Sequence, residues 1–230
     1  MNIKQSELRE LVEQGLVTDI MKMEKAYYLI KEITVKGSDI EAYNAGSYVN
    51  LFRIVQRSLL TDAILAVSRL YEKPSSHYPT LCIQSLLNFI SENSSDLTPL
   101  TQQPNLIKHL YRINVPEYII NLVDSDPEQY GKKMADYFRF ICFSFENDQI
   151  IEKLKNIRDK RIAHNENTTF ISTPTLLELR KLIDDAKNLA GIIGWGYLNI
   201  IYLYEDRYFL SDDAQMPSIA LRKLFKELNL

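Results

Sequence analysis

Glycine and proline are scarce in this chain, at 7 and 8 of 230 residues. With so few breakers, long uninterrupted elements are expected, and the spacing of apolar residues favours helices over strands. Cysteine is scarcer still. Cys82 and Cys142 stand far apart and without metal-ligand spacing, so both read as buried, reduced thiols. Long hydrophobic runs are also missing. The longest uncharged run, residues 188–204, falls just short of the ~18–20 residues that cross a bilayer, and it carries Gly191, Gly194, Gly196 and Asn199. A buried helix is expected there, with Ala190 and Gly194 letting a neighbour approach closely, and no membrane is expected as a partner. The opening residues turn quickly into a charged amphipathic pattern and lack the apolar core of a signal peptide, which points to the cytoplasm. There is no Walker loop, dinucleotide glycine fingerprint, HExxH or G-x-S-x-G elbow. No cofactor and no metal is called for.

What is present is a chain with 46% hydrophobic residues, enough to bury a sizeable core, organised as one domain over residues 1–230. Apolar positions Leu8, Val12, Leu16, Ile20, Met23 and Ile30 mark a helix over 5–33 that Gly15 can interrupt, ended by residues 36–39. A second helix is expected over 40–71 and a short one from Pro79 through Ile90. Between 96 and 127 the prolines divide two short helical candidates, the expected place for a variable insertion. Helices follow at 128–145 and at 149–164, the latter capped by Asn147 or Asp148. The Thr175–Glu178 spacing is that of a capping box opening a long helix that ends near Tyr204, and 214–228 forms a terminal helix.

Chemistry concentrates at residues 156–166, where Arg158 and His164 sit near the end of an amphipathic helix. A neutral imidazole can take or give a proton near pH 7, and an always-charged guanidinium can hold a phosphate oxygen as negative charge develops. The net charge of −3 carries no global sign of nucleic-acid binding, but Lys153, Lys155, Lys160 and Arg161 crowd this segment, opposed by Glu152 and Asp159. Ile150, Leu154 and Ile157 follow 4-3 spacing that continues onto Arg161 and His164, so the apolar face turns basic as the helix ends. From residue types alone, His164 also fits a capping histidine favoured by the helix dipole. Six positions separate Arg158 from His164, which aims them about 120° apart on a regular helix. Three solutions are open: the helix loosens at its end, the arginine curls round, or a second subunit supplies half of the site. Asp62 and Arg69, on nearly one face of an apolar helix, fit a structural ion pair or a place in the cleft. His77 and His109 read as surface residues.

The segment R-D-K-R-I-A-H-N-E resembles the R-x4-6-H signature of the HEPN superfamily, all-helical domains common in prokaryotic defence and toxin systems. A looser likeness to its abortive-infection U-type branch takes in the helix carrying Asp62, Arg69 and Leu70-Tyr71, a Pro-containing loop, a short helix near Ser85-Leu86-Leu87, the motif helix and a long apolar helix. The resemblance implies an all-α bundle of long antiparallel helices with extra terminal helices. It implies a homodimer whose motif helices meet across a two-fold axis, the third of the solutions above. It implies a metal-independent ribonuclease in phage defence or a toxin system, with RNA as substrate and an antitoxin or another defence protein as a possible partner. Arg158 and His164 would then be catalytic. Asp159, where the family commonly has another polar residue such as Asn, would orient one of them or repel RNA phosphate. Asn165 and Glu166 would support the site or simply end the helix. The alternative is a non-catalytic HEPN scaffold binding nucleic acid, a nucleotide or a partner protein.

Overall fold

A computed structural model of the chain describes residues 3–75, 77, 80–97, 99, 104–159, 172–204 and 207–229. Among these residues it is all-α apart from one hairpin of two-residue strands. In chain order the helices are α1 (Ile3–Glu10), α2 (Thr18–Val35), α3 (Gly37–Ala42), α4 (Val49–Leu70), α5 (Ile83–Glu92), α6 (Pro104–Arg112), α7 (Glu117–Ile120), α8 (Leu122–Ser125), α9 (Pro127–Cys142), α10 (Phe145–Ile157), α11 (Leu176–Ile193) and α12 (Phe209–Glu227). Strands β1 (Leu203–Tyr204) and β2 (Arg207–Tyr208) pair antiparallel just before α12.

Local chemistry accounts for most of the boundaries. The first expected helix is continuous except for a widened π-type turn, Leu11–Val17, around Gly15. The second does not start at 40. Gly46 takes a φ of 78°, a left-handed value open to glycine, so α3 stops and α4 begins only at Val49. The motif helix starts earlier than expected: Ser144 is its cap, accepting from the Asn147 backbone N–H at 3.4 Å. Asn147 itself is buried and donates to Asp185 at 2.9 Å and to the Ile141 carbonyl at 3.0 Å. The capping box forms as the spacing requires, with Thr175 Oγ1 accepting from the Glu178 N–H at 3.2 Å and Glu178 Oε2 accepting from the Thr175 N–H at 2.7 Å.

That helix stops at Ile193 rather than near Tyr204. Gly194–Leu198 forms another widened turn, and Asn199 is left-handed at φ 53°. A Cβ on Gly194 would stand 2.5 Å from the Ile200 carbonyl oxygen, so only glycine lets the chain fold back here. Among the described residues no helix is long and apolar enough to cross a membrane. Among its described residues the 96–127 segment contains three short helices where two were expected, α7 and α8 being separated by Asn121 alone. The terminal helix begins at Phe209, five residues before the expected 214, and accommodates Pro217 in its interior.

Paired contacts give the helix directions. Arg69 meets Asp19 while Gln56 donates to Thr34 at 3.2 Å, so α2 and α4 run antiparallel. Lys153 meets Glu178 and Lys181 meets Glu146, so α10 and α11 form an antiparallel pair. α11 is the central helix, packed on α2, α4, α6, α9 and α10. Its Leu182, Ile183, Ala186 and Leu189 are fully buried in a core that extends from Leu8 to Tyr208 in the sequence. A second small cluster joins Ile33, Ile40 and Phe225 where α12 packs on α2. Both cysteines are buried free thiols. Burial pushes the Cys142 thiol well up, which keeps it protonated and unreactive.

Candidate functional site

α10 delivers Arg158 to the end of the bundle where α4 also ends and α11 begins. Ile150, Leu154 and Ile157 are buried on the core side of α10, as the 4-3 stripe requires. At Arg158 the helix changes: its N–H is shared between the Leu154 and Lys155 carbonyls, and residues 158–159 form a widened turn. The regular α-helical turn is thus already lost at Arg158 and Asp159. His164, Lys160, Arg161, Asn165 and Glu166 lie outside the described residues.

The Arg158 guanidinium is held between two carboxylates. Its Nε–H donates to Asp159 Oδ1 at 2.9 Å, and its Nη1 lies 3.5 Å from Glu72 Oε2. Glu72 follows α4 directly after Tyr71 and carries no local signal that would single it out. Its proximity to Arg158 is a product of how α4 and α10 cross.

Behind Arg158 opens a cleft of about 330 Å³ between the end of α4, the start of α5, and α10. Tyr71, Phe143, Ile151 and Leu154 give it apolar walls, while Ser68, Glu72, Gln84 and Asp148 supply polar groups. Tyr71 is locked in place: its hydroxyl donates to the Leu182 carbonyl at 2.6 Å, and its ring meets Phe143 edge-on at 5.8 Å. Burial raises the Tyr71 phenol far above its ordinary range, so it remains a neutral donor. Lys73, Lys155 and Arg158 bring positive charge to the same cleft.

The other basic residues divide. Lys155 is exposed and lines the cleft. Lys153 instead reaches α11, with its Nζ 2.6 Å from Glu178 Oε1, and this bond holds the Glu178 carboxyl below the usual carboxylate range. One carboxylate thus closes the capping box of α11 and ties α11 to the motif helix. Arg69 does not pair with Asp62. Its fork closes on Asp19 of α2, with Nε 3.1 Å from Oδ2 and Nη2 2.5 Å from Oδ1, while Asp62 faces solvent. The seven-residue spacing placed both on α4's surface, but the acid within reach comes from the neighbouring helix.

His109 is a correction to the surface reading. It is 5% exposed, and its Nε2 lies 3.4 Å from the Asn188 carbonyl, against Gly191 of α11. Burial lowers its pKa to about 4. The sequence held the signal, since Leu106, His109 and Leu110 share one face of α6 and all three are buried. His77 is exposed, as expected. Among the described residues, no group of three or more His, Cys, Asp or Glu side chains gathers as a metal site would require.

The AbiU2 family of HEPN domains matches residues 5–216. The chain belongs to that family. No curated protein and no solved structure matches it. For an AbiU2 chain, the match spans the whole described arrangement of α4, α10 and α11. It also contains the Arg158 to His164 spacing, an arginine and a histidine separated by five residues. The family places this HEPN domain among abortive-infection proteins.

Proposed function

We propose that this AbiU2 protein is a metal-independent endoribonuclease acting as a phage-defence or toxin effector in the cytoplasm. The observation that carries the reading is Arg158 on a cleft that Lys73 and Lys155 also line, six positions before His164 in the sequence. In the reaction His164 acts as general base on a ribose 2′-hydroxyl, or as general acid on the leaving 5′-oxygen. Arg158 stabilises the charge that builds on the phosphorane-like transition state. Asp159 orients Arg158 through the Nε–H bond. Attack by the 2′-oxygen breaks the bond to the 5′-oxygen, so one product ends in a 2′,3′-cyclic phosphate and the other in a free 5′-hydroxyl. A homodimer with the Arg158–His164 segments facing each other supplies the second side of the cleft, and an antitoxin or another defence protein restrains it in the cell.

One observation favours a second reading, a scaffold that binds nucleic acid, a nucleotide or a partner protein without turnover. Arg158 already faces two carboxylates, and a phosphate must compete with both. Incubation of the purified protein with mixed RNA in EDTA separates the two. Cleavage to cyclic-phosphate ends, reduced ~10²- to 10⁴-fold by His164→Ala in a folded dimer, supports the enzyme. Intact RNA, or equal cleavage by the variant, rejects this site. Light scattering at micromolar concentration tests the dimer.

A further inference from the structure

The cleft beside Arg158 combines two chemistries that a bare phosphate clamp does not need. Its lining sets Lys73, Lys155 and Arg158 against Glu72 and Asp148, a small excess of positive charge, beside an aromatic and aliphatic slot. At the floor, the Ser68 Oγ is buried and has no hydrogen-bond partner among the described residues. A buried hydroxyl left unpaired is destabilising, so a polar atom arriving there is stabilised. Gln84 and Asp148 line the same cleft, adding an amide that donates and accepts and a carboxylate that accepts. The Tyr71 ring is fixed at both ends, by its hydroxyl bond to Leu182 and by its contact with Phe143, so this wall is preorganised. An apolar pocket of this size with a few convergent polar groups is the form of a small-ligand site, for which ~300 Å³ is the usual lower bound.

We propose that this cleft seats one unpaired nucleobase of a single-stranded RNA, with the base edge read by Ser68, Gln84 and Asp148 and the adjoining phosphates held by Lys73, Lys155 and Arg158. The proposal rests on the reading that RNA is the ligand of Arg158. A planar base buries its faces against Phe143 and Ile151, the half-buried apolar residues that Tyr71 backs, and its edge satisfies the Ser68 hydroxyl. A base enters such a slot only when it has left its own stack, so a duplex is excluded and a single strand selected. The base also fixes which phosphate reaches Arg158. Recognition and chemistry are thereby joined on one helix, because α10 supplies Asp148 and Lys155 to the pocket and Arg158 to the phosphate.

The test measures binding without turnover. Fluorescence anisotropy compares a short single-stranded RNA, 2′-fluoro substituted so that no 2′-hydroxyl can attack, with an abasic strand of equal charge. The wild-type protein is expected to bind the base-bearing strand at least about tenfold more tightly, the range of one stacked base. Gln84→Trp, which fills the mouth of the cleft from a half-buried position, closes that gap, and so does Ser68→Met at the floor. Arg158→Ala weakens both strands alike. Equal affinity for the two strands in the wild type overturns the pocket, as does a gap that survives Gln84→Trp in a folded protein. Failure to bind either strand removes RNA as the ligand and the pocket's occupant with it. Base-dependent binding in a protein that never cleaves RNA upholds the pocket and overturns the catalytic reading alone.

Discussion

Arg158 and Asp159 are joined side chain to side chain, the Nε–H of the arginine donating to the aspartate Oδ1 at 2.9 Å. Neighbours in sequence rarely face each other on a helix, and here they meet where the helix widens. With Glu72 3.5 Å away on the other side, the guanidinium is oriented and partly neutralised.

Asp159→Asn keeps a hydrogen-bond acceptor for Arg158 and removes one negative charge from the rim. RNA affinity is expected to rise by up to about fivefold, the scale of a partly exposed ion pair, and more at low salt than at high. Filter binding at two salt concentrations checks this. Unchanged affinity at both would mean that the carboxylate does not compete with phosphate.

Lys153 and Lys155 are expected to behave differently although both belong to the basic segment. Lys155→Ala removes a solvent-facing cation and should reduce the slope of log affinity against log salt by roughly 0.7, one contact's worth for a single strand. Reversing Lys160 and Arg161 to Glu should flatten it further. Lys153→Ala should leave the slope intact and lower stability by up to about 1 kcal/mol, since Lys153 bonds Glu178. A Lys153 variant that loses salt dependence as strongly as the Lys155 variant would refute the division.

Asp19→Asn breaks the fork that ties α2 to α4. Asp19 is almost entirely buried and Arg69 is nearly half exposed, so the guanidinium regains some water when the pair is lost. The expected destabilisation is about 1–3 kcal/mol, below that of a fully buried pair. Urea unfolding reads it. Asp62→Asn, on the exposed face of α4, should change stability by less than about 0.5 kcal/mol.

His109 makes the fold sensitive to mild acid. Its folded pKa of about 4 lies below the ordinary 6.5, so the unfolded chain takes up a proton first. Above pH 6.5 the imidazole is neutral in both states and adds no pH dependence, and stability falls as the pH drops from there towards 4, by at most about 1.4 kcal/mol per pH unit. Thermal melts between pH 7 and 4.5 should show a slope that His109→Gln reduces. Identical slopes in the two proteins would place the imidazole in water in both states.

The elements were largely legible in the sequence, because their causes are local. The apolar spacing of α2, α4 and α11, the Thr175–Glu178 box and the Pro127 start of α9 lie within a few residues of the structure they dictate. The early end of α11 was missed for the opposite reason. Gly194 turns the chain only because the Ile200 carbonyl and the Tyr202 ring come back against it, a closure that no window of periodicity contains.

The candidate site divides along the same line. The sequence by itself determined the helical class and the buried face of α10 that carries Ile150, Leu154 and Ile157, because spacing along one helix sets which side chains share a face. Only the tertiary structure decided that Arg158 meets Glu72, that Arg69 meets Asp19 rather than Asp62, and that Gly191 is what His109 packs against. Those pairs join residues tens of positions apart. Their distances depend on how helices cross and on which ridges fill which grooves, quantities set by the packing of the whole core.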